Sequence, residues 1–274
     1  MPGIPDKAYT FDHLVHDDGS VTFRCSQDAA TWPWLELPPW HPVAMQTINY
    51  WVSVECSAAR GTFDREKWSA LTWMDWQVGH FDVGIPARGT MENTSIGDKI
   101  GFLITLYDAA NRLIYTSRGK GVVFRTRDFE GWRSKAKTEL RTKVPHADFA
   151  YAAAVEVGAG PHEFALVSPL RQSSAVFAEA LVTAENGLPP NARYMSGTGD
   201  HVNATHLAEC ARQFAALYLG NPAVRFGRGE ITFSHYVELG VPFRIELLSN
   251  SNGEIALAVT QAGTPCTSIG LSPA

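Results

Sequence analysis

The chain has 274 residues, 45% hydrophobic and 19% charged, with a formal net charge of -5. That composition suits one large or two medium folded domains and excludes long disordered tracts. It also lacks the basic footprint of a nucleic-acid binder, because the densest basic stretch, Arg133 to Lys143, contains Glu139 and reads as a solvated connector.

The four cysteines, Cys25, Cys56, Cys210 and Cys266, are widely spaced and form no CxxC pattern. This speaks for reduced thiols in a cytoplasmic protein and against a metal centre. Met1 to Thr10 carries no secretion signal, and no apolar run approaches the roughly 20 residues of a membrane span. The expectation is a soluble cytoplasmic chain with no metal, no cofactor and no nucleic-acid or membrane partner.

In chain order, Leu14 to Cys25 reads as a hairpin turning at Asp17-Asp18-Gly19. Thr31 to Trp40, rich in aromatics and prolines, is either a packed loop or a lid. Val43 to Ala59 is a helix with Val43, Ile48, Trp51, Val52 and Cys56 facing inward. Strand-like runs follow at Ser69 to Phe81, Lys99 to Tyr107 and Leu113 to Arg125.

The second half repeats the plan. Strand candidates Phe149 to Val157 and Glu163 to Ser168 precede a helix over Val202 to Leu219, and Gly229 to Val237, Phe243 to Leu248 and Glu254 to Gln261 follow it. Ser249 to Gly253 joins a hairpin. Asp82-Val83-Gly84-Ile85-Pro86 has a chemical echo in Glu238-Leu239-Gly240-Val241-Pro242 at the equivalent place, which supports an internal duplication. One long helix laid on consecutive antiparallel strands is the plan of a hot-dog domain. The expected fold class is therefore α+β, a double hot-dog with repeats over 1–140 and 141–274. All eight tryptophans lie at or before Trp132, so the repeats have diverged.

The second helix carries the chemistry. Leu207, Cys210, Ala211, Phe214, Leu217 and Tyr218 make an apolar stripe, while Glu209, Arg212 and Gln213 share a neighbouring face at i, i+3 and i+4. Asp200-His201-Val202, followed after six residues by Glu209-Cys210-Ala211-Arg212-Gln213, resembles the DHV…EAxRQ helix of the A-factor biosynthesis hot-dog (AfsA-like) family. Where that family often has Pro-Gly-Met, this chain has Asn203-Ala204-Thr205. The resemblance implies two hot-dog repeats and transfer of a β-ketoacyl group to a small hydroxylated acceptor such as dihydroxyacetone phosphate, in the biosynthesis of butyrolactone signals. It implies an acyl carrier protein or CoA thioester as substrate, and it leaves oligomeric state open.

On this reading Glu209 is the general base, with burial lifting its pKa, and His201 is a second catalytic candidate; the alternative for Glu209 is a structural ion pair with Arg212. Asp200 is either a catalytic acid or an N-cap. Asn203, His206, Arg212 and Gln213 are substrate-binding candidates, and Val202 to Thr205 would offer backbone N–H donors to a thioester carbonyl. His201 and His206 lie about 140° apart on a helical wheel and make poor joint metal ligands. Aligning His41 with His201 sets Asn49, Val52 and Ser53 opposite Glu209, Arg212 and Gln213, which implies a single site. The alternatives are a hot-dog thioesterase, a β-hydroxyacyl dehydratase, whose D-x-N-P-x-H signature fails here by one residue, and a non-catalytic acyl or butyrolactone binding protein.

Overall fold

The computed structural model describes residues 8–64, 67–124, 134, 137–138, 140, 148–196 and 201–274. The chain divides into two compact units, Met1–Thr126 and Arg127–Ala274.

In the first unit, β1 (Thr10–Val15) and β2 (Val21–Cys25) form a hairpin whose turn puts Gly19 at φ +78°. The aromatic segment after it contains a short 3-10 helix, Pro33–Glu36, and packs inward. Trp32 and Trp34 are buried, with ring contacts between Tyr9 and Trp34 at 4.8 Å and between Trp32 and Trp51 at 5.2 Å. Helix α1 (Pro42–Ala59) follows, with Pro42 in the first turn and His41 as its N-cap, its Nδ1 accepting from the Val43 N–H at 3.3 Å. Strands β3 (Trp68–Val78), β4 (Arg88–Ile96), β5 (Lys99–Tyr107) and β6 (Leu113–Phe124) complete an antiparallel sheet ordered β1-β2-β4-β5-β6-β3.

Helix α1 is tied to this sheet by polar contacts as well as by its apolar face. The Glu55 carboxylate accepts from the Tyr9 N–H at 2.8 Å and from the N–H and hydroxyl of Thr10, each at 2.6 Å. Asn49 receives the Tyr115 hydroxyl at 3.0 Å and donates to Ser117 Oγ at 3.1 Å. These contacts satisfy polar groups that burial would otherwise penalise by about 1–3 kcal/mol each.

The second unit uses the same strand order. Strands β7 (Arg171–Gln172) and β8 (Val176–Ala180) are followed by the short helix α2 (Ala184–Gly187) and the long helix α3 (Ala204–Leu219). Then come β9 (Phe226–Phe233), β10 (Phe243–Ser251), β11 (Glu254–Gln261) and β12 (Thr264–Pro273), in the antiparallel order β7-β8-β10-β11-β12-β9. Strand for strand this repeats the first unit, with the long helix between the second and third strands of each. The fold is a double hot-dog.

The echoed loops take equivalent places, 82–86 between β3 and β4 and 238–242 between β9 and β10. A buried polar side chain at the end of the fifth strand holds each one. Asp108 Oδ2 accepts from the Gly84 N–H at 3.2 Å. Gln261 accepts from the Glu238 N–H at 2.7 Å and donates to the carbonyls of Glu238 and Val241 at 3.1 and 2.9 Å. Different side chains thus serve one loop geometry in the two copies.

Three sequence expectations need correction. Strands β4, β7, β8 and β12 lie outside the expected set: β7 and β8 are short, while Arg88, Thr90, Glu92 and Asn93 in β4 and Pro265, Ser268 and Pro273 in β12 mask the apolar alternation. The ladders of β4 and β12 come from neighbours on both sides in the sheet, which local composition does not report. Phe149 to Val157 is not a strand either; its alanines are poor strand formers, and the chain turns at 154–158, ending on Gly158 at φ +63°. Glu163 to Ser168 forms a single bridge, Val167 to Ala180, instead of a ladder. The reason is visible in α3: the Gln213 amide takes the Leu166 N–H at 2.7 Å and gives to the Phe164 carbonyl at 2.8 Å.

Candidate functional site

Helix α3 begins at Ala204, two residues later than Val202, because Val202 instead pairs in a β-bridge with Val237. Asn203 is its N-cap. Its side chain accepts from the His206 N–H at 3.2 Å, while His206 Nδ1 accepts from the Asn203 N–H at 3.1 Å, a reciprocal capping box. The helix stops at Gly220, which adopts φ +61° and returns its N–H to the last turn. Thr205 to Ala216 are all buried, so this span of α3 is enclosed on every face, its polar residues included.

That enclosure brings Glu209, Arg212 and Gln213 together, exposed by 1%, 4% and 0%. Arg212 grips Glu209 in a bidentate fork, Nε to Oε2 at 2.9 Å and Nη2 to Oε1 at 2.5 Å. Gln213 donates to the same Oε1 at 2.9 Å. Burial works to lower the Arg212 pKa, but the Glu209 charge outweighs it and raises the pKa above its ordinary value. Arg212 Nη2 also reaches the Gly158 carbonyl at 3.4 Å. Gly158 is required there, since a Cβ would stand 2.0 Å from the Pro222 carbonyl oxygen, at a backbone φ of +63°.

Glu163, which sequence reasoning treated only as the start of a strand, joins this cluster. A carboxylate oxygen of Glu163 lies within 4.8 Å of one on Glu209. The Gly160 N–H donates to Glu163 at 2.8 Å. Burial, then the neighbouring Glu209 charge, push the Glu163 pKa up, while Gly160 and Arg212 pull against them. The spacing along α3 announces the first three residues, whereas nothing local to Glu163 announces its place beside them.

The remaining candidates sit around the cap. His206 is fully buried, its Nε2 donating to the Gly187 carbonyl at 2.7 Å, so both ring nitrogens are engaged and the ring is held neutral. Burial, followed by the His201 charge and against the Gly187 bond, takes its pKa down to about 4. His201 is half-buried and packs its ring edge against Tyr236 at 4.9 Å. Asn203 Nδ2 donates to the Ser196 carbonyl at 2.8 Å. Asp200 lies outside the described residues. His80 and His235 are exposed, and His235 pairs with the Pro265 carbonyl.

The helix caps set a register different from the one expected. His41 caps α1 and Asn203 caps α3, so Thr47, Tyr50 and Trp51 stand opposite Glu209, Arg212 and Gln213. In either register the charged cluster has no counterpart on α1.

No protein-family model and no curated protein matches this sequence. Solved structures do resemble it. An acyl-ACP thioesterase from Bacteroides thetaiotaomicron VPI-5482 shares 11% identity over 93% of this chain and 97% of its own, with a TM-score of 0.55. The 12:0-ACP thioesterase from Umbellularia californica shares 12% identity over 98% of each chain, also with a TM-score of 0.55. A structure described as a fusion DH domain shares 12% identity over 98% of this chain and 94% of its own, with a TM-score of 0.50. At these identities the likeness is one of fold, the double hot-dog. Among the described residues, no helix is long and apolar enough to cross a membrane.

Proposed function

We propose that this chain is an enzyme acting on an acyl thioester, carried by an acyl carrier protein or CoA, and that its site lies at the Glu209 cluster of α3. The observation that carries this reading is the buried carboxylate, guanidinium and amide of Glu209, Arg212 and Gln213. A hot-dog helix does not need such a cluster to fold, since α1 supports the same strand order with Asn49 and Glu55 bonded to its own unit. Burying an ion pair is costly relative to apolar packing, so its presence calls for a use.

The reaction we favour is transfer of a β-ketoacyl group to a small hydroxylated acceptor such as dihydroxyacetone phosphate. Its support is the AfsA-like order of Asp200, His201, Val202, Glu209, Arg212 and Gln213. A carboxylate of the cluster takes the acceptor's hydroxyl proton as the oxygen bonds to the thioester carbon. The C–S bond then breaks and the proton passes to the departing thiolate. Hydrolysis is the second reading, supported by similarity to acyl-ACP thioesterases along nearly the whole chain. It is the same step with water as acceptor.

Mass spectrometry of the purified protein with β-ketoacyl and β-hydroxyacyl thioesters, with and without dihydroxyacetone phosphate, separates these readings. An acyl ester formed only with the acceptor supports transfer, and free acid supports hydrolysis. A dehydrated thioester moves the chain to the dehydratase class. Unchanged thioester under all conditions removes the enzymatic reading and leaves an acyl-binding protein.

A further inference from the structure

Glu209, Arg212 and Gln213 are at most 4% exposed, which leaves almost no water-sized space beside them. A substrate atom therefore touches this cluster only when a covering segment moves aside. Residues 159–165 have the build of such a segment. They run between two fully buried anchors, Val157 and Leu166, while Pro161, His162 and Phe164 are exposed. Much of the loop's bonding stays local: the Glu163 N–H gives to the Gly160 carbonyl at 3.1 Å, and the Gly160 N–H gives to the Glu163 carboxylate at 2.8 Å. A compact loop that satisfies its own polar groups can move on its anchors as a unit.

Gln213 fastens the loop to α3. Its Nε2 donates to the Phe164 carbonyl at 2.8 Å and to Glu209 Oε1 at 2.9 Å, while its Oε1 accepts from the N–H of the anchor Leu166 at 2.7 Å. One side chain thus ties the end of the loop to the Glu209 carboxylate. At the loop's other end Arg212 Nη2 reaches the Gly158 carbonyl at 3.4 Å. We propose that residues 159–165 form a lid over the Glu209 cluster, latched by Gln213 through the Phe164 carbonyl, and that an acyl substrate enters when the lid lifts. The inference rests on the acyl-thioester reading above for its occupant. As Phe164 leaves, the Nε2 hydrogen it held is released, and the thioester carbonyl oxygen takes the place of the Phe164 carbonyl oxygen. The latch then becomes a donor to the substrate, which is the binding role that helical spacing gives Gln213.

The test reads lid opening without turnover. Hydrogen exchange followed by mass spectrometry measures the amides of 159–165, and a water-soluble carbodiimide with an amine measures access to the Glu209 carboxylate. Gln213→Ala, which removes the latch, should speed both by on the order of tenfold, as for loss of one or two hydrogen bonds. Pro161→Gly leaves α3 intact and should speed both several-fold by widening the freedom of the lifted loop, with exchange in β10 to β12 unchanged. Where Gln213→Ala fails to fold, Pro161→Gly decides. An acyl-pantetheine amide, which keeps the carbonyl but resists attack, should shield Glu209 from the carbodiimide while raising exchange in 159–165. Unchanged exchange and labelling in the folded variants, or Pro161→Gly speeding β10 to β12 as much as the loop, overturns the lid. Faster opening in the variants of a protein that neither binds the amide nor consumes a thioester supports the lid and overturns only the enzymatic reading.

Discussion

Replacing Arg212 with alanine should destabilise the protein by about 3–5 kcal/mol, because it strands the Glu209 carboxylate in a site that is 1% exposed to water. The bidentate fork supplies two of the three hydrogen bonds given to that carboxylate by α3, and Gln213 alone cannot replace the lost charge. The double variant Arg212→Ala/Glu209→Gln removes the orphaned charge and should recover a substantial part of the loss. Urea denaturation at neutral pH measures both. An Arg212→Ala loss below about 1 kcal/mol, or a double variant no better than the single, contradicts a buried, mutually dependent pair.

Stability should fall steeply between pH 6.5 and 4 because of His206. In the folded chain its pKa lies at about 4, while in the unfolded chain it returns to about 6.5. The unfolded state therefore binds the proton first as pH drops. The stability tied to the neutral ring is complete above about pH 6.5 and is lost progressively down to about pH 4. At about 1.4 kcal/mol per pH unit, the span from about 6.5 to about 4 makes this ~3.5 kcal/mol. The structural cause is plain: Nδ1 accepts from the Asn203 N–H, and protonation would set two donors against each other in the cap of α3. Glu163 works in the opposite sense, its raised pKa favouring the folded state as pH falls. The comparison must accordingly be made with His206→Gln. That variant should start less stable at pH 7.5 and show a markedly flatter decline to pH 5. Parallel curves would show that His206 is not the titrating group.

Much of the fold is legible wherever local chemistry dictates local shape. Asp17-Asp18-Gly19 and Ser249 to Gly253 mark hairpins because their glycines accept φ near +78°. The 3.6-residue periodicity marks α1 and α3, and the paired Gly-Pro loops mark the duplication. Legibility ends where pairing is decided at a distance. Met91 is buried in β4 beside polar Thr90 and Glu92, and only its partners β2 and β5 make that segment a strand. Gln213 takes up the Leu166 N–H and the Phe164 carbonyl, which limits this strand-like segment to one bridge.

The candidate site divides in the same way. Glu209, Arg212 and Gln213 announce themselves through helical spacing, but the periodicity gives them a side face of α3, whereas the span from Thr205 to Ala216 is buried all round and they with it. Glu163 reaches them on a loop shaped by Gly158 and Gly160, across a separation that no motif spans. His206 reads in the sequence as a substrate-binding candidate, while its contacts with Asn203 and Gly187 give it the duties of a cap.

The most direct test of the central claim is thiol release from a β-ketoacyl thioester, measured per folded molecule for wild type, Asn49→Ala and Glu209→Gln. Asn49 belongs to α1 and bonds Tyr115 and Ser117, so its loss should cost stability while leaving the rate within a few-fold. Glu209→Gln should lose at least tenfold, about 1.4 kcal/mol of transition-state stabilisation. Equal rates in wild type and Glu209→Gln, or a larger loss in Asn49→Ala, would contradict a single thioester site on α3.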